Sequence, residues 1–175
     1  FTILLIVFFL FKEAGGLFNT PATEEGYVLA ANKSNDVGKL SPEKIMDIFD
    51  GNITNWKDIS GMDQDILIFR FSDLTNYYTE EELGDEFQYV PQKISELVAK
   101  EPGIIAFFPK QYLLENGFQG KVLPEEKITL GEFFGGTKWY PTSTPAPIFG
   151  LIPLLLGTLL VSIGAIVLSL PFGIA

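Results

Sequence analysis

The chain has no cysteine and no histidine, only 2 methionines, and 12 lysines and arginines against 22 acidic residues. Without cysteine there are no disulfides and no thiolate metal sites, and the chain suits either side of a membrane. A formal charge of −10 argues against nucleic-acid binding, which depends on neutralising phosphates with Lys and Arg, and against a polybasic membrane-surface module. Catalysis has no support either. There is no phosphate-cradling G-x-x-x-x-G-K-[ST] run, and the carboxylates are spread along the chain with no pair at diagnostic spacing. No catalytic residue, metal ligand or cofactor is expected.

Charge is also absent locally. From Ile148 to Ala175 no residue is ionisable, and the run is built of Leu, Ile, Val, Phe, Gly, Ala, Pro and a few hydroxyls. A helix of about 20 apolar residues crosses the roughly 30 Å hydrocarbon core, so residues 148–175 are expected to span a membrane, as a continuous helix over 148–170. Phe1 to Phe11 is apolar too, but too short to span alone. Residues 1–18 are read as the outer end of a truncated membrane helix. The alternative, a signal-peptide core, lacks an initiator methionine and a basic leader, and Glu13-Ala14-Gly15-Gly16 is a poor cleavage site. The net charge therefore sits between two apolar ends. That middle segment is too long for charge bias to set its topology.

The middle alternates strands and helices. Asn19-Thr20-Pro21-Ala22-Thr23 reads as a linker, and Tyr27–Asn32 as a buried strand. Ser41, Pro42 and Glu43 form a helix start, with Leu40 and Ile45 placed for a hydrophobic staple. Ile45, Ile48 and Phe49 keep helical spacing up to a stop at Gly51. Ile66–Phe69 reads as a strand, Thr79–Asp85 as a solvated helical turn or loop, and Ile94, Leu97 and Val98 as one face of a second helix ended by Pro102-Gly103. Ile104–Phe108 and Gly120–Leu123 are further strands. The pattern predicts a small α/β domain over residues 19–131, with a mixed sheet and flanking helices. Residues 132–147 are expected to be a linker back to the membrane, whose Trp139 and Tyr140 suit the interfacial belt. In the span, Gly150, Gly157 and Gly164 recur every seven residues, a small-residue stripe suited to helix packing. Pro171 and Gly173 are expected to bend or interrupt that helix.

Two sets of motifs carry family resemblances. Phe133-Phe134-Gly135-Gly136-Thr137-Lys138-Trp139-Tyr140-Pro141, then Phe149–Leu159, then Ser169-Leu170-Pro171-Phe172-Gly173, resemble the N-terminal part of the phosphate ABC transporter permease family (PstC type). Phe11-Lys12-Glu13 resembles the end of that family's first helix. Leu40–Ile59, with its Ile48-Phe49 and Asn55-Trp56, and Val98–Phe107, with its Pro102-Gly103, resemble the phosphate-type periplasmic solute-binding proteins. The resemblances imply a one-lobe binding-protein-like domain between two transmembrane helices, placed on the extracytoplasmic side of a multi-pass plasma (inner) membrane protein. They also imply as partners the lipid bilayer, a second permease subunit, ATP-binding subunits and a phosphate-type solute-binding protein. In the binding proteins a Ser-Gly-Thr turn, an Arg and an Asp hold phosphate. The corresponding stretch here, Phe69-Arg70-Phe71-Ser72-Asp73-Leu74-Thr75-Asn76, has no glycine to let amides converge on an anion. Arg70, Ser72, Asp73 and Thr75 stand as ligand-binding candidates. The competing reading is a salt-bridged Arg70–Asp73 loop, and the rival to a permease is a membrane-anchored anion-binding or sensor module.

Overall fold

The computed structural model describes residues 23–124 and 127–174, together with Leu5, Phe8, Phe9, Lys12 and Gly15, which have helical backbone. Apart from those five, the expected first membrane helix lies outside the described residues, as do positions 19–22 of the first linker. The chain divides into two compact units, one of residues 21–126 and 144–146, the other of residues 1–20, 127–143 and 147–175.

The first unit is built on four strands, β1 (Tyr27–Ala31), β2 (Leu67–Arg70), β3 (Ile104–Pro109) and β4 (Lys121–Val122), in the order β2-β3-β1-β4. β1 runs antiparallel to β3 and to β4, whereas β2 and β3 are parallel. The sheet is therefore mixed, as expected. Its central strands alternate between two separate cores. Val28, Ala30, Ile104, Ala106 and Phe108 enter one cluster, and Leu29, Ala31, Ile105 and Phe107 enter the other. A strand buried on both faces has no polar side to show, which is why these segments read as unbroken apolar runs.

Helices cover both faces. On one lie α2 (Leu74–Tyr77), α3 (Glu80–Leu83) and α4 (Val90–Lys100), contributing Leu74, Leu83, Ile94, Leu97 and Val98. On the other lies α1 (Pro42–Phe49) with Ile45, Ile48 and Phe49, joined by Leu40 and Trp56. The α1 start is the one expected: the Ser41 hydroxyl accepts from Lys44 N at 3.4 Å, and Gly51 takes φ 77° just beyond the end. The acidic stretch after Thr79 is one helical turn. A reciprocal Thr79–Glu82 capping box closes it, and the buried Leu83 anchors it.

The two solute-binding-protein-like motifs meet in this unit. The fully buried Trp56 indole donates to Gly103 O at 2.8 Å, and the same carbonyl accepts Leu67 N at 3.0 Å. Gly103 tolerates no side chain, because a Cβ there would run into the carbonyl oxygen of Asp65. Asn32, at the end of β1, uses both ends of its amide. Nδ2 donates to Val98 O and Ala99 O at 2.8 and 2.9 Å, and Oδ1 accepts from Ser34 N and Oγ. It thereby satisfies carbonyls at the end of α4 that have no partner within the helix.

The second unit contains α5 (Leu130–Gly135), a two-stranded ribbon of β5 (Trp139–Tyr140) and β6 (Ile148–Phe149), and α6 (Ile152–Ile174). Residues 132–147 are thus more than a linker. The long helix begins at Ile152 and not at Ile148, because Ile148 and Phe149 pair with Tyr140 and Trp139. Gly150 therefore does not belong to the helical stripe. Its Cα lies against Gly136, and a Cβ there would collide with the Gly136 carbonyl and Lys138 O, so glycine serves a tight turn. Gly157 and Gly164 remain on α6, with nothing within 4 Å of a Cβ at either. The helix continues through Pro171 to Ile174 without interruption. Among the described residues, Ile152–Leu170 is the one helix long and apolar enough to cross a membrane, and none of it is buried.

Candidate functional site

β2 ends at Arg70, and the chain turns at once into a 3-10 turn, Phe71–Asp73, followed by α2. A cleft of about 320 Å³ opens there, lined by Arg70, Ser72, Glu24, Tyr27, Phe71 and Phe107 among others. Its walls are aromatic. Tyr27 stacks on Phe107 with ring centroids 4.7 Å apart, and Phe71 stacks on Tyr112 at 4.8 Å.

Of the four expected ligand-binding residues, the fold brings two together. Arg70 and Ser72 line the cleft, whereas Asp73 and Thr75 do not. Asp73 instead accepts the Arg70 backbone N–H at 3.0 Å and closes the turn. The Arg70–Asp73 contact is therefore backbone to carboxylate and not the salt bridge of the competing reading. The described ion pairs are Lys57–Asp63 and Lys93–Glu96. The Arg70 guanidinium points elsewhere: Nη2 donates to Phe49 O at 2.8 Å, and Cζ sits 5.1 Å from the centroid of the Phe49 ring. Phe49 is the last residue of α1, where helix carbonyls are unsatisfied and a cation is favoured. Arg70 thus bonds to the fold, though a guanidinium carries five donors.

Thr75 lines a separate recess with Glu80, Glu81, Asp85 and Glu86, where four carboxylates repel an anion. Leu74 follows the 3-10 turn directly. Its side chain is buried in the core, and its N–H donates to Phe71 O. The first turn after β2 is thereby spent on the protein itself. Sequence reasoning missed Glu24, Tyr27 and Phe71 as cleft residues. The alternation Phe69-Arg70-Phe71 was a usable signal, since Phe69 is fully buried and Phe71 only half-buried.

Among the described residues of this unit, two groups have displaced pKa values. Burial, and then the charges of Glu96 and Glu82, raise Tyr78 above the ordinary tyrosine value; its hydroxyl donates to Lys93 O at 3.1 Å. Glu82 is held below the ordinary glutamate value, first by the Thr79 backbone N–H and then by its hydroxyl. Both belong to the α3–α4 side, and neither lines the cleft.

A family model described as a PBP superfamily domain matches residues 8–156. The chain belongs to the PBP superfamily. Two solved structures are similar to it. One is an ABC-type phosphate transport receptor from Vibrio cholerae, at 22% identity and a TM-score of 0.41, covering 59% of this chain and 47% of that one. The other is a putative phosphate ABC transporter substrate-binding protein with bound phosphate from Clostridium perfringens, at 23% identity and a TM-score of 0.40, covering 59% and 46%. This PBP superfamily chain spans about half the length of each.

Proposed function

We propose that this chain is part of the membrane permease subunit of an ABC importer of the phosphate type. Its PBP-like unit is carried outside the membrane as a docking or gating element and does not clamp ligand itself. The observation that carries this reading is α6. Its bilayer-length segment has no buried residue, and Gly157 and Gly164 leave open backbone on one stripe, which a lone tether has no use for and a helix-packing partner would fill. The state of the cleft supports the same reading, because Arg70 is bonded to Phe49 O and Leu74, at the position where the resemblance would put an anion-facing turn, is buried in the core. On this reading α6 packs with further spans and a second permease subunit, and ATP hydrolysis resides on separate ATP-binding subunits. The external unit meets a phosphate-type solute-binding protein, the membrane is the plasma (inner) membrane, and the subunit is multi-pass.

The second reading, a membrane-anchored anion sensor, is favoured by one observation, the presence of both Arg70 and Ser72 in the aromatic cleft. One pair of measurements separates the two. The detergent-extracted protein is tested for co-purification with ATP-binding subunits and titrated with phosphate by calorimetry. Association without saturable phosphate binding is expected. Micromolar binding abolished by Arg70→Ala, without association, would overturn the permease reading and establish the sensor.

A further inference from the structure

The stretch before α6 holds more exposed apolar surface than a connector needs. Leu130 and Phe134 are 59% exposed and Tyr140 is 58% exposed. Leu130 and Phe134 are four residues apart on α5, hence on one face. The one acidic residue of α5, Glu132, is folded back on its own cap. Its carboxylate accepts from Thr129 N at 2.9 Å and from Thr129 Oγ1 at 2.8 Å. Beside this helix, Trp139 packs edge-on against Phe149 across the ribbon, with centroids 5.6 Å apart.

The same stretch is hydrogen-bonded to the start of α6. Leu151 N donates to Phe133 O at 2.8 Å, Ile152 N donates to Gly136 O at 3.3 Å, and Gly150 N donates to Lys138 O at 2.8 Å. Pro153 has no N–H to satisfy, and Leu154 and Leu155 both donate to Leu151 O at 3.1 Å. Every backbone amide from Gly150 to Leu155 therefore has a partner. In water the first amides of a helix need no such provision, because solvent serves them. Where the chain enters a hydrocarbon layer no water remains to serve an unpaired amide, and irregular backbone survives there only when its polar groups are satisfied.

We infer that α5 and the β5–β6 ribbon form a collar seated in the headgroup layer of the bilayer, with Leu130, Phe134 and Tyr140 immersed beside the start of α6. The occupant of this apolar face is lipid and not a second protein. The face is continuous with the bilayer-length helix through three hydrogen bonds, and it presents the amphipathic rings and aliphatic groups that partition to an interface. The inference rests on the membrane reading of α6 given above, but it adds a requirement that a simple span does not make. The segment before the helix must lie flat on the membrane at fixed depth.

The absence of cysteine makes the test direct. Single-cysteine variants Phe134→Cys, Leu130→Cys, Leu160→Cys and Asn116→Cys are spin-labelled in the full chain. They are reconstituted in phosphatidylcholine–phosphatidylglycerol vesicles, and collision with oxygen is compared with collision with a water-soluble nickel complex. Position 160 should favour oxygen strongly. Positions 130 and 134 should each show an oxygen excess severalfold above the exposed position 116, but below position 160. A deep signal at 160 with water-like values at both 130 and 134 overturns the collar and leaves the span intact. Water-like values at 160 as well remove the membrane reading and the collar with it. Agreement between 130 and 134 guards against one label perturbing α5.

Discussion

Trp56→Phe tests whether the buried indole ties the α1 turn to the Pro102-Gly103 loop. The indole is fully buried, and its Nε1 donates to Gly103 O at 2.8 Å. Phenylalanine removes that donor but leaves the acceptor served, because Leu67 N also donates to Gly103 O. The lost hydrogen bond therefore costs about 1 kcal/mol and not the larger penalty of an orphaned carbonyl. The smaller ring leaves roughly 40 Å³ empty, which at about 24 cal/mol per Å³ adds about 1 kcal/mol, with a smaller loss from the apolar atoms removed. The sum is about 2–3 kcal/mol, a Tm decrease on the order of 10–20 °C for a unit of this size. The complementary change, Gly103→Ala, drives a Cβ into the backbone oxygen of Asp65, which has no flexible side chain to move, and costs at least about 1–3 kcal/mol. Urea unfolding followed by far-UV circular dichroism measures both, and the midpoint should fall at unchanged slope. A Trp56→Phe protein within about 0.5 kcal/mol of the parent would show that the indole bond and its packing do not hold these segments together.

Other expectations follow from single contacts. Asn32→Ala strips the cap from Val98 O and Ala99 O and should cost about 2–3 kcal/mol in the same unfolding assay. Glu82 has a depressed pKa, so its contribution is complete above the unfolded glutamate value and is lost as pH falls through the lower folded value. Amide exchange at Thr79 and Glu82 should lose protection on the acid side of the ordinary glutamate range, and Thr79→Ala should abolish that pH dependence. Gly157→Leu places a branched side chain on the open stripe of α6 and should impair association with partner helices while membrane insertion is retained, as cross-linking and carbonate extraction would report. A cysteine in place of the exposed Asn116 should react with an impermeant thiol reagent in intact cells; reaction only after lysis would invert the proposed orientation.

What the sequence disclosed and what it hid divide along physical lines. Helix α1 was legible because its information is local: the cap, the proline, the staple and the stop all lie within Leu40–Gly51. Strands β1 and β3 were legible because burial on both faces leaves an apolar run. The β5–β6 ribbon was hidden because each strand has two residues and the partners lie on either side of a proline-rich loop, which gives no alternation to detect. That ribbon also misled the reading of glycine spacing. Gly150 falls on the seven-residue repeat with Gly157 and Gly164, yet it serves a close backbone approach to Gly136.

The cleft shows the same limit at finer scale. Arg70, Ser72, Asp73 and Thr75 are close in sequence, and the resemblance to solute-binding proteins offered all four as candidates. A 3-10 turn repeats every three residues, so Phe71, Ser72 and Asp73 face three directions, while Asp73 returns beneath Arg70 to accept its N–H. With the carboxylate and Leu74 N used to close that turn, what this stretch brings to the cleft, beside Glu24 and the stacked rings, is an arginine bonded to Phe49 O and one serine. Adding a glycine alone would not restore convergent amides, because Leu74 is anchored in the core by its side chain. Opening the backbone at this turn would require moving Leu74 out of the cluster that α4 packs against. The conformation of this turn is therefore coupled to the packing of the domain and not confined to its surface.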